Sequence, residues 1–167
     1  MQTIKRAILA HKEDRLEEAE KLYRIVLESE PDHPDANHNL GILLSSMNKS
    51  KDALSFLKNA TKINPKIEQF WISYGEILFS LNHLEESETS YNKAIELNPD
   101  NPIVYFLLGR VLSSIRRFDE AVKNYKKVID LKPDYITAIM DLGVSLQELG
   151  RFDEAVKNYK KVIDLKP

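Results

Sequence analysis

A period of 34 residues runs through the sequence and limits the chain to repeat architectures. Prolines mark one position of this period: Pro31, Pro65, Pro99, Pro133 and Pro167. Glycines mark another position: Gly41, Gly75, Gly109 and Gly143. The segment RFDEAVKNYKKVIDLKP occupies residues 117–133 and returns unchanged at residues 151–167. Such self-similarity predicts that the chain stacks copies of one small structural unit.

Each repeat is predicted to contain two helices. In the fourth repeat, Tyr105, Leu108 and Leu112 follow at helical spacing, and Gly109 leaves room for a neighbouring helix. A second apolar series covers residues 118–131. One turn residue separates the two helices in successive repeats: Asp14, Asn48, Asn82, Arg116 and Gly150. Four of these five residues are of types that tolerate the left-handed conformation found at helix ends.

The recurrent proline ends the second helix, since proline cannot continue a helix and disfavours helical geometry in the residue before it. An aspartate follows three of the prolines, at Asp32, Asp100 and Asp134. Aspartate is a favoured residue at helix N-termini. We therefore expect these aspartates to lie in the cap region of the helix that begins the next repeat.

The combined pattern resembles the tetratricopeptide repeat, which reads W-x₂-L-G-x₂-Y, then A-x₃-F, then P. The large residue before Leu-Gly is Trp71 or Tyr105, with Asn37 and Ile139 as departures. The resemblance covers the whole chain and implies an all-α fold, a right-handed superhelical α-solenoid of antiparallel helix pairs. It predicts a single domain, residues 1–167, with repeats at approximately 1–33, 34–67, 68–101, 102–135 and 136–167.

Composition and motifs favour a non-catalytic protein without metal or cofactor. The chain lacks cysteine, its four histidines are scattered, and its glycines form no phosphate-binding loop. Paired acidic residues such as Glu85-Glu86 recur at the start of the second helix, where they favour the helix dipole. A net charge of −2 does not favour a nucleic-acid partner. Without a signal-peptide core or a run of about 18 apolar residues, we expect a cytoplasmic protein that has no contact with membranes.

The family resemblance implies that the first helix of each repeat lines a concave groove that holds a partner. Helical spacing selects the side chains of these helices that point away from the second helix, and many of them are apolar. We expect a contiguous patch across the third to fifth repeats that takes an apolar segment of a protein or peptide, with Arg110 as the anchor for an acidic group. The predicted groove residues are His38, Asn39, Ile42, Ile72, Glu76, Phe79, Ile103, Phe106, Leu107, Arg110, Met140 and Val144.

Two binding chemistries of the family are not matched. Members that grip a C-terminal carboxylate use lysine, arginine and asparagine across three repeats, and here Asn39 alone corresponds. Asn39 is also the single match to the asparagine ladder of repeats attached to O-linked sugar transferases. The stretch HPDANHNLGILL at residues 33–44 nevertheless resembles bacterial repeat regions that precede glycosyltransferase or sulfotransferase domains.

Two alternatives to an interaction scaffold therefore stay open. The chain is expected either to act as a non-catalytic arm of a larger enzyme of that transferase kind, or to self-assemble as a structural protein. The last helix carries Phe152, Val156, Tyr159 and Ile163 with no polar capping helix after it, so we expect either a fragment of a longer protein or open ends that stack on each other. Stacking of such an open end on a second copy is heterologous and propagates.

Overall fold

A computed structural model describes residues 2–165, and these residues form ten α-helices and no β-strand. Pro167, the last proline of the series, lies outside the described residues. The helices are α1 (Gln2–Lys12), α2 (Leu16–Ser29), α3 (Pro34–Ser46), α4 (Ser50–Ile63), α5 (Glu68–Ser80), α6 (Leu84–Leu97), α7 (Pro102–Ser114), α8 (Phe118–Leu131), α9 (Ile136–Glu148) and α10 (Phe152–Leu165). Two helices fall within each predicted repeat.

The helices group into two compact units, with the boundary between His83 and Leu84. The first unit contains α1 to α5, and the second contains α6 to α10. Within each unit every helix packs against the next one along the chain, and odd-numbered helices also contact each other: α1 and α5 contact α3, and α7 contacts α9. First helices of neighbouring repeats within a unit therefore lie side by side. That all five repeats form one domain stays a prediction.

The two helices of a repeat approach each other closely where the recurrent glycine lies. A Cβ atom added to Gly109 of α7 would lie 2.5 Å from Cε1 of Tyr125 in α8. The same distance separates a Cβ on Gly143 of α9 from Cε1 of Tyr159 in α10. Carbon atoms do not pack at this distance, so an alanine at either position would force the tyrosine ring to shift. The prediction that the glycine leaves room for a neighbouring helix is confirmed.

A polar side chain near the start of three first helices is bonded to the preceding loop. Asn37, Trp71 and Tyr105 each donate a hydrogen bond to the carbonyl of the proline six residues earlier, at 2.8, 2.8 and 3.1 Å. Asn37 departs from the large residue of the family pattern but makes the same bond. Ile139, the other departure, carries no donor. The residue type at this position of the repeat thus depends on hydrogen bonding to the proline carbonyl as well as on side-chain size.

The turn residues between the paired helices all have a positive φ. The angles are 58° at Asp14, 60° at Asn48, 63° at Asn82, 61° at Arg116 and 72° at Gly150. Around Arg116 the N–H of Arg117 donates to the Leu112 carbonyl at 2.9 Å, and the N–H of Arg116 donates to the Ser113 carbonyl at 3.0 Å. This pair of bonds defines a Schellman motif. Arg116 is therefore a non-glycine residue whose backbone has the left-handed conformation that favours glycine.

We predict that Arg116→Gly raises the free energy of unfolding by about 1 kcal/mol. Relief of the left-handed conformation is worth roughly 1–2 kcal/mol, and the greater freedom of glycine in the unfolded chain offsets about 0.5–1 kcal/mol of it. The ion pair of Arg116 with Glu148, 3.9 Å long and mostly exposed, adds little. Urea unfolding followed by circular dichroism measures the change.

Gly150→Arg is the matched reverse substitution, because Gly150 and Arg116 precede identical segments. It should lower the free energy of unfolding by a similar amount. Equal stability of the reverse variant and the parent chain would show that the left-handed turn exerts no strain.

The aspartates after the prolines lie directly before the N-cap residues of the first helices, so they are in the cap region but are not the caps themselves. The N-cap residues of α3, α7 and α9 are His33, Asn101 and Tyr135, each one residue later. In the first of these loops the His33 N–H donates to the Glu30 carbonyl at 3.0 Å, so Pro31 and Asp32 are the central residues of a turn. The turn occupies the aspartate, and the cap therefore moves to the next residue.

Candidate partner-binding surface

Helices α7 and α9 lie side by side in the second unit and are joined by polar contacts. Ser113 Oγ of α7 lies 3.3 Å from Ser145 Oγ of α9, and Ser145 in turn donates to the Asp141 carbonyl at 2.9 Å. Ser113 Oγ also lies 3.3 Å from the Tyr125 hydroxyl in α8. These bonds fix the two first helices against each other and against α8, so the side chains they present have defined positions.

Apolar side chains on these two helices are open to solvent. Ile103 of α7 is 50% exposed, and Met140 and Val144 of α9 are 45% and 49% exposed. Phe106 and Leu107 of α7 are half-buried. We refer to the following residues as the α7–α9 surface: Ile103, Phe106, Leu107, Arg110, Met140 and Val144.

Phe106 has aromatic neighbours on two sides. Its ring centroid lies 5.2 Å from that of Tyr135, the residue before α9, and 6.1 Å from that of Tyr125 in α8. The guanidinium carbon of Arg110 lies 6.0 Å from the Phe106 centroid, a cation–π distance. The Phe106 ring is thus packed against two tyrosine rings and lies beside the positive charge of Arg110.

Two opposite charges influence each other between α7 and α9. Burial raises the pKa of the half-buried Asp141 carboxyl, and the positive charge of Arg110 partly offsets this rise. Burial also raises the pKa of Tyr125 to about 12. Arg110 itself is exposed. The α7–α9 surface therefore offers an accessible cation with a carboxyl group nearby.

In the first unit, two of the predicted groove residues are buried. His38 and Ile72 are 7% and 5% exposed. His38 Nε2 lies 3.0 Å from Ser73 Oγ, and its ring lies 4.6 Å from that of Phe70 in α5. Burial lowers the pKa of His38, which favours the neutral imidazole. These two side chains present almost no surface to a partner, because α3 and α5 pack together where His38 lies.

The other predicted residues of the first unit are accessible to different degrees. Asn39, Ile42 and Phe79 are half-buried, and Glu76 is exposed. Sequence reasoning missed Tyr135 and Asp141 as neighbours of Phe106 and Arg110. Tyr135 precedes α9, so a pattern based on helical spacing does not include it. Asp141 lies within α9, next to Met140, and the same pattern could have identified it.

The described part of the chain provides neither a metal site nor a membrane span. Within residues 2–165, no group of three or more histidine and acidic side chains is arranged to hold a metal ion. No helix in that range has the length and apolar character needed to cross a membrane.

Family models identify the repeat. A model described as TPR repeat matches residues 75–114, and one described as tetratricopeptide repeat matches residues 103–167. Together they span residues 75–167, more than half of the chain. The chain belongs to the tetratricopeptide repeat family. A further model, of anaphase-promoting complex (cyclosome) subunit 3, matches residues 12–94 of this tetratricopeptide protein. No curated protein matches its sequence.

Solved tetratricopeptide structures are similar over nearly the whole chain. A crystal structure of MamA has a TM-score of 0.93 at 24% identity, covering 98% of this chain and 90% of MamA. A MamA segment from Desulfovibrio magneticus RS-1 has a TM-score of 0.93 at 18% identity, with coverages of 99% and 93%. YrrB, a TPR protein with an unusual peptide-binding site, has a TM-score of 0.90 at 22% identity, with coverages of 99% and 85%. This likeness confirms the all-α solenoid class.

Proposed function

We propose that this tetratricopeptide protein is an interaction scaffold, and that its α7–α9 surface binds an apolar segment of another polypeptide. The observation that carries the proposal is the joint exposure of Ile103, Met140 and Val144 on two helices that pack side by side. Exposed apolar side chains that adjoin on a folded surface commonly mark an interaction site. A bound apolar segment would remove these side chains from water, which is the main source of affinity.

Phe106 is proposed as the central contact of this site. Its ring rests on Tyr125 and Tyr135, so little side-chain freedom is left to lose when a partner binds. Low entropic cost and large apolar area make such aromatic residues frequent energetic centres of interfaces. Leu107, half-buried on the same helix, extends the apolar area.

Arg110 is proposed to select a segment that carries an acidic residue. A carboxylate of the partner would share the guanidinium with Asp141, which already acts on Arg110 electrostatically. Arginine presents five N–H donors, so it has the capacity to serve both carboxylates. The expected partner is therefore an apolar segment with an acidic residue beside its apolar anchor.

Residues of the first unit are proposed to contribute in the same way. Asn39 and Ile42 of α3, and Glu76 and Phe79 of α5, are at least partly accessible on two helices that contact each other. YrrB, a protein of the same fold with an unusual peptide-binding site, supports peptide binding as the kind of function. That these first-unit residues also bind the partner stays a prediction.

Selection of displayed random peptides on the purified chain tests this proposal. We expect enrichment of peptides that combine apolar residues with an acidic residue, bound in the micromolar range. Met140→Glu should weaken their binding at least about tenfold, because it places a charge on the apolar contact area. Arg110→Glu should remove the preference for an acidic residue while leaving apolar peptides bound. Fluorescence anisotropy of the enriched peptides measures both effects.

Thr89→Glu is the matched control, because it adds the same charge at an exposed position of α6 in the same unit. It should leave binding unchanged, and circular dichroism should show equal helix content in all variants. Enriched peptides that bind Met140→Glu as tightly as the parent chain would exclude the α7–α9 surface.

A further inference from the structure

The loop between α8 and α9 adds a second aromatic ring and a second cation to the neighbourhood of Phe106. Lys132 is the C-cap residue of α8, and Tyr135 is the N-cap residue of α9. The Lys132 N–H donates to the Val128 carbonyl at 2.8 Å, and the Tyr135 N–H donates to the Lys132 carbonyl at 3.1 Å. These bonds hold Lys132 and Tyr135 in one turn, so the positions of their side chains are defined by the backbone.

Four side chains form a chain of contacts that we call the cation–aromatic cluster: Arg110, Phe106, Tyr135 and Lys132. The guanidinium carbon of Arg110 lies 6.0 Å from the Phe106 centroid, and the Phe106 and Tyr135 centroids are 5.2 Å apart. Lys132 Nζ lies 5.4 Å from the Tyr135 centroid. Both rings are half-buried and both cations are exposed. The chain of contacts thus has two rings in its middle and a positive charge at each end.

The two cations lie on opposite sides of the ring pair. Arg110 lies about one helical turn after Phe106, toward the end of α7. Helices α7 and α8 pack against each other and are joined by a tight turn, so the end of α8 lies near the start of α7. Lys132 therefore borders the rings from the other side. It contacts the Tyr135 ring although an exposed carboxylate, Asp134, is only two residues away.

The first three repeats do not carry this combination of side chains. The corresponding residues are Ile4, Ile8, Glu30 and His33 in the first repeat, His38, Ile42, Asn64 and Ile67 in the second, and Ile72, Glu76, Asn98 and Asn101 in the third. Each of these repeats nevertheless forms the same two helices. The fold of a repeat therefore does not require two rings between two cations, which favours a role in binding.

We propose that the α7–α9 surface recognises an apolar residue with an acidic residue on each side, one paired with Arg110 and the other with Lys132. This inference rests on the proposed function and adds Tyr135 and Lys132 to its site. The apolar residue packs against the rings of Phe106 and Tyr135, and the flanking carboxylates pair with the two cations. Such charge complementarity supplies specificity and fixes the position of the bound segment.

The contacts within the cluster limit the spacing of the two acidic residues. They place the guanidinium of Arg110 and the ammonium of Lys132 no more than about 17 Å apart, a distance that about five extended residues span. In an extended segment the two acidic residues should thus lie within about five residues of each other.

Parallel selections test this inference, with a library of displayed random peptides as the probe. The library is selected on the parent chain, on Lys132→Gln and on Arg110→Gln. Peptides from the parent chain should carry an acidic residue on both sides of the apolar residue. Each variant should lose the acidic preference on one side only, and the two variants should lose opposite sides. Lys123→Gln is the matched control, because it removes the same charge from an exposed position of α8 and should enrich the same peptides as the parent chain.

Fluorescence anisotropy with a peptide selected on the parent chain measures the size of the effect. Lys132→Gln should weaken binding about threefold, as expected for an exposed charge pair, and Lys132→Arg should retain it. Replacing the acidic residue on the Lys132 side of the peptide should weaken binding to the parent chain by a similar factor. The same replacement should have no further effect on Lys132→Gln, because the pair is already lost.

The outcomes separate this inference from the proposed function. Peptides that lose affinity for Met140→Glu but are enriched with both acidic residues on Lys132→Gln would overturn the role of Lys132 and leave the proposed function intact. A selection that enriches no peptide on the parent chain, or only peptides that bind Met140→Glu equally well, would overturn both.

Discussion

Tyr125→Ala is expected to lower the free energy of unfolding by about 3–5 kcal/mol, the range for truncation of a buried aromatic residue. Tyr125 is 1% exposed, and its ring fills the space against Gly109 between α7 and α8. Its hydroxyl also lies 3.3 Å from Ser113 Oγ, a contact that the variant loses. Urea unfolding followed by far-UV circular dichroism measures the loss.

Tyr159→Ala is an internal control for this prediction, because Tyr159 occupies the same position of an identical helix. The two substitutions have the same effect on helix propensity, so any difference between them reports packing. Tyr159 is half-buried, and we expect its loss to cost about 1–2 kcal/mol. Equal losses for the two variants would contradict the different packing of α8 and α10.

Gly109→Ala is expected to lower the free energy of unfolding by up to about 2 kcal/mol. The new methyl group would lie 2.5 Å from the ring of Tyr125, and overpacking of a core costs about 1–3 kcal/mol. Alanine is the better helix former by about 1 kcal/mol, which offsets part of this cost. The same unfolding measurement applies.

A double variant separates these two contributions. With Tyr125→Ala already present, the methyl group has free space, so Gly109→Ala should then raise the free energy of unfolding by up to about 1 kcal/mol. A substitution that stays equally destabilising in both backgrounds would show that the ring of Tyr125 is not what requires glycine.

The repeat pattern predicted the helices and their turns because both depend on local chemistry. The recurrent proline cannot lie within a helix interior, and the left-handed turn residues are short polar residues or glycine in all but one repeat. Arg116 shows that position in the repeat outweighs residue type, since it adopts a φ of 61° like its equivalents. The aspartates lie one residue before the N-caps, because each is a central residue of the turn that follows the proline.

The candidate site was harder to predict because it depends on how helices of different repeats approach. His38 and Ile72 follow the same helical spacing as Met140 and Val144, yet the first two are buried and the last two are half exposed. Spacing identifies the side of a helix, but not how closely the next helix covers it. Helices α8 and α10 show this most clearly, since their sequences are identical but their side chains are buried to different extents.

The methyl resonance of Met140 tests the proposed binding surface most directly. The chain has three methionines, and Met47, half-buried at the end of α3, provides a reference in the first unit. In a chain labelled with methyl-¹³C methionine, Met140→Leu assigns the resonance, and a peptide enriched by selection is then titrated. We expect the Met140 signal to shift in a saturable way while the Met47 signal stays in place. A peptide that binds without moving the Met140 signal would contradict the assignment of the α7–α9 surface.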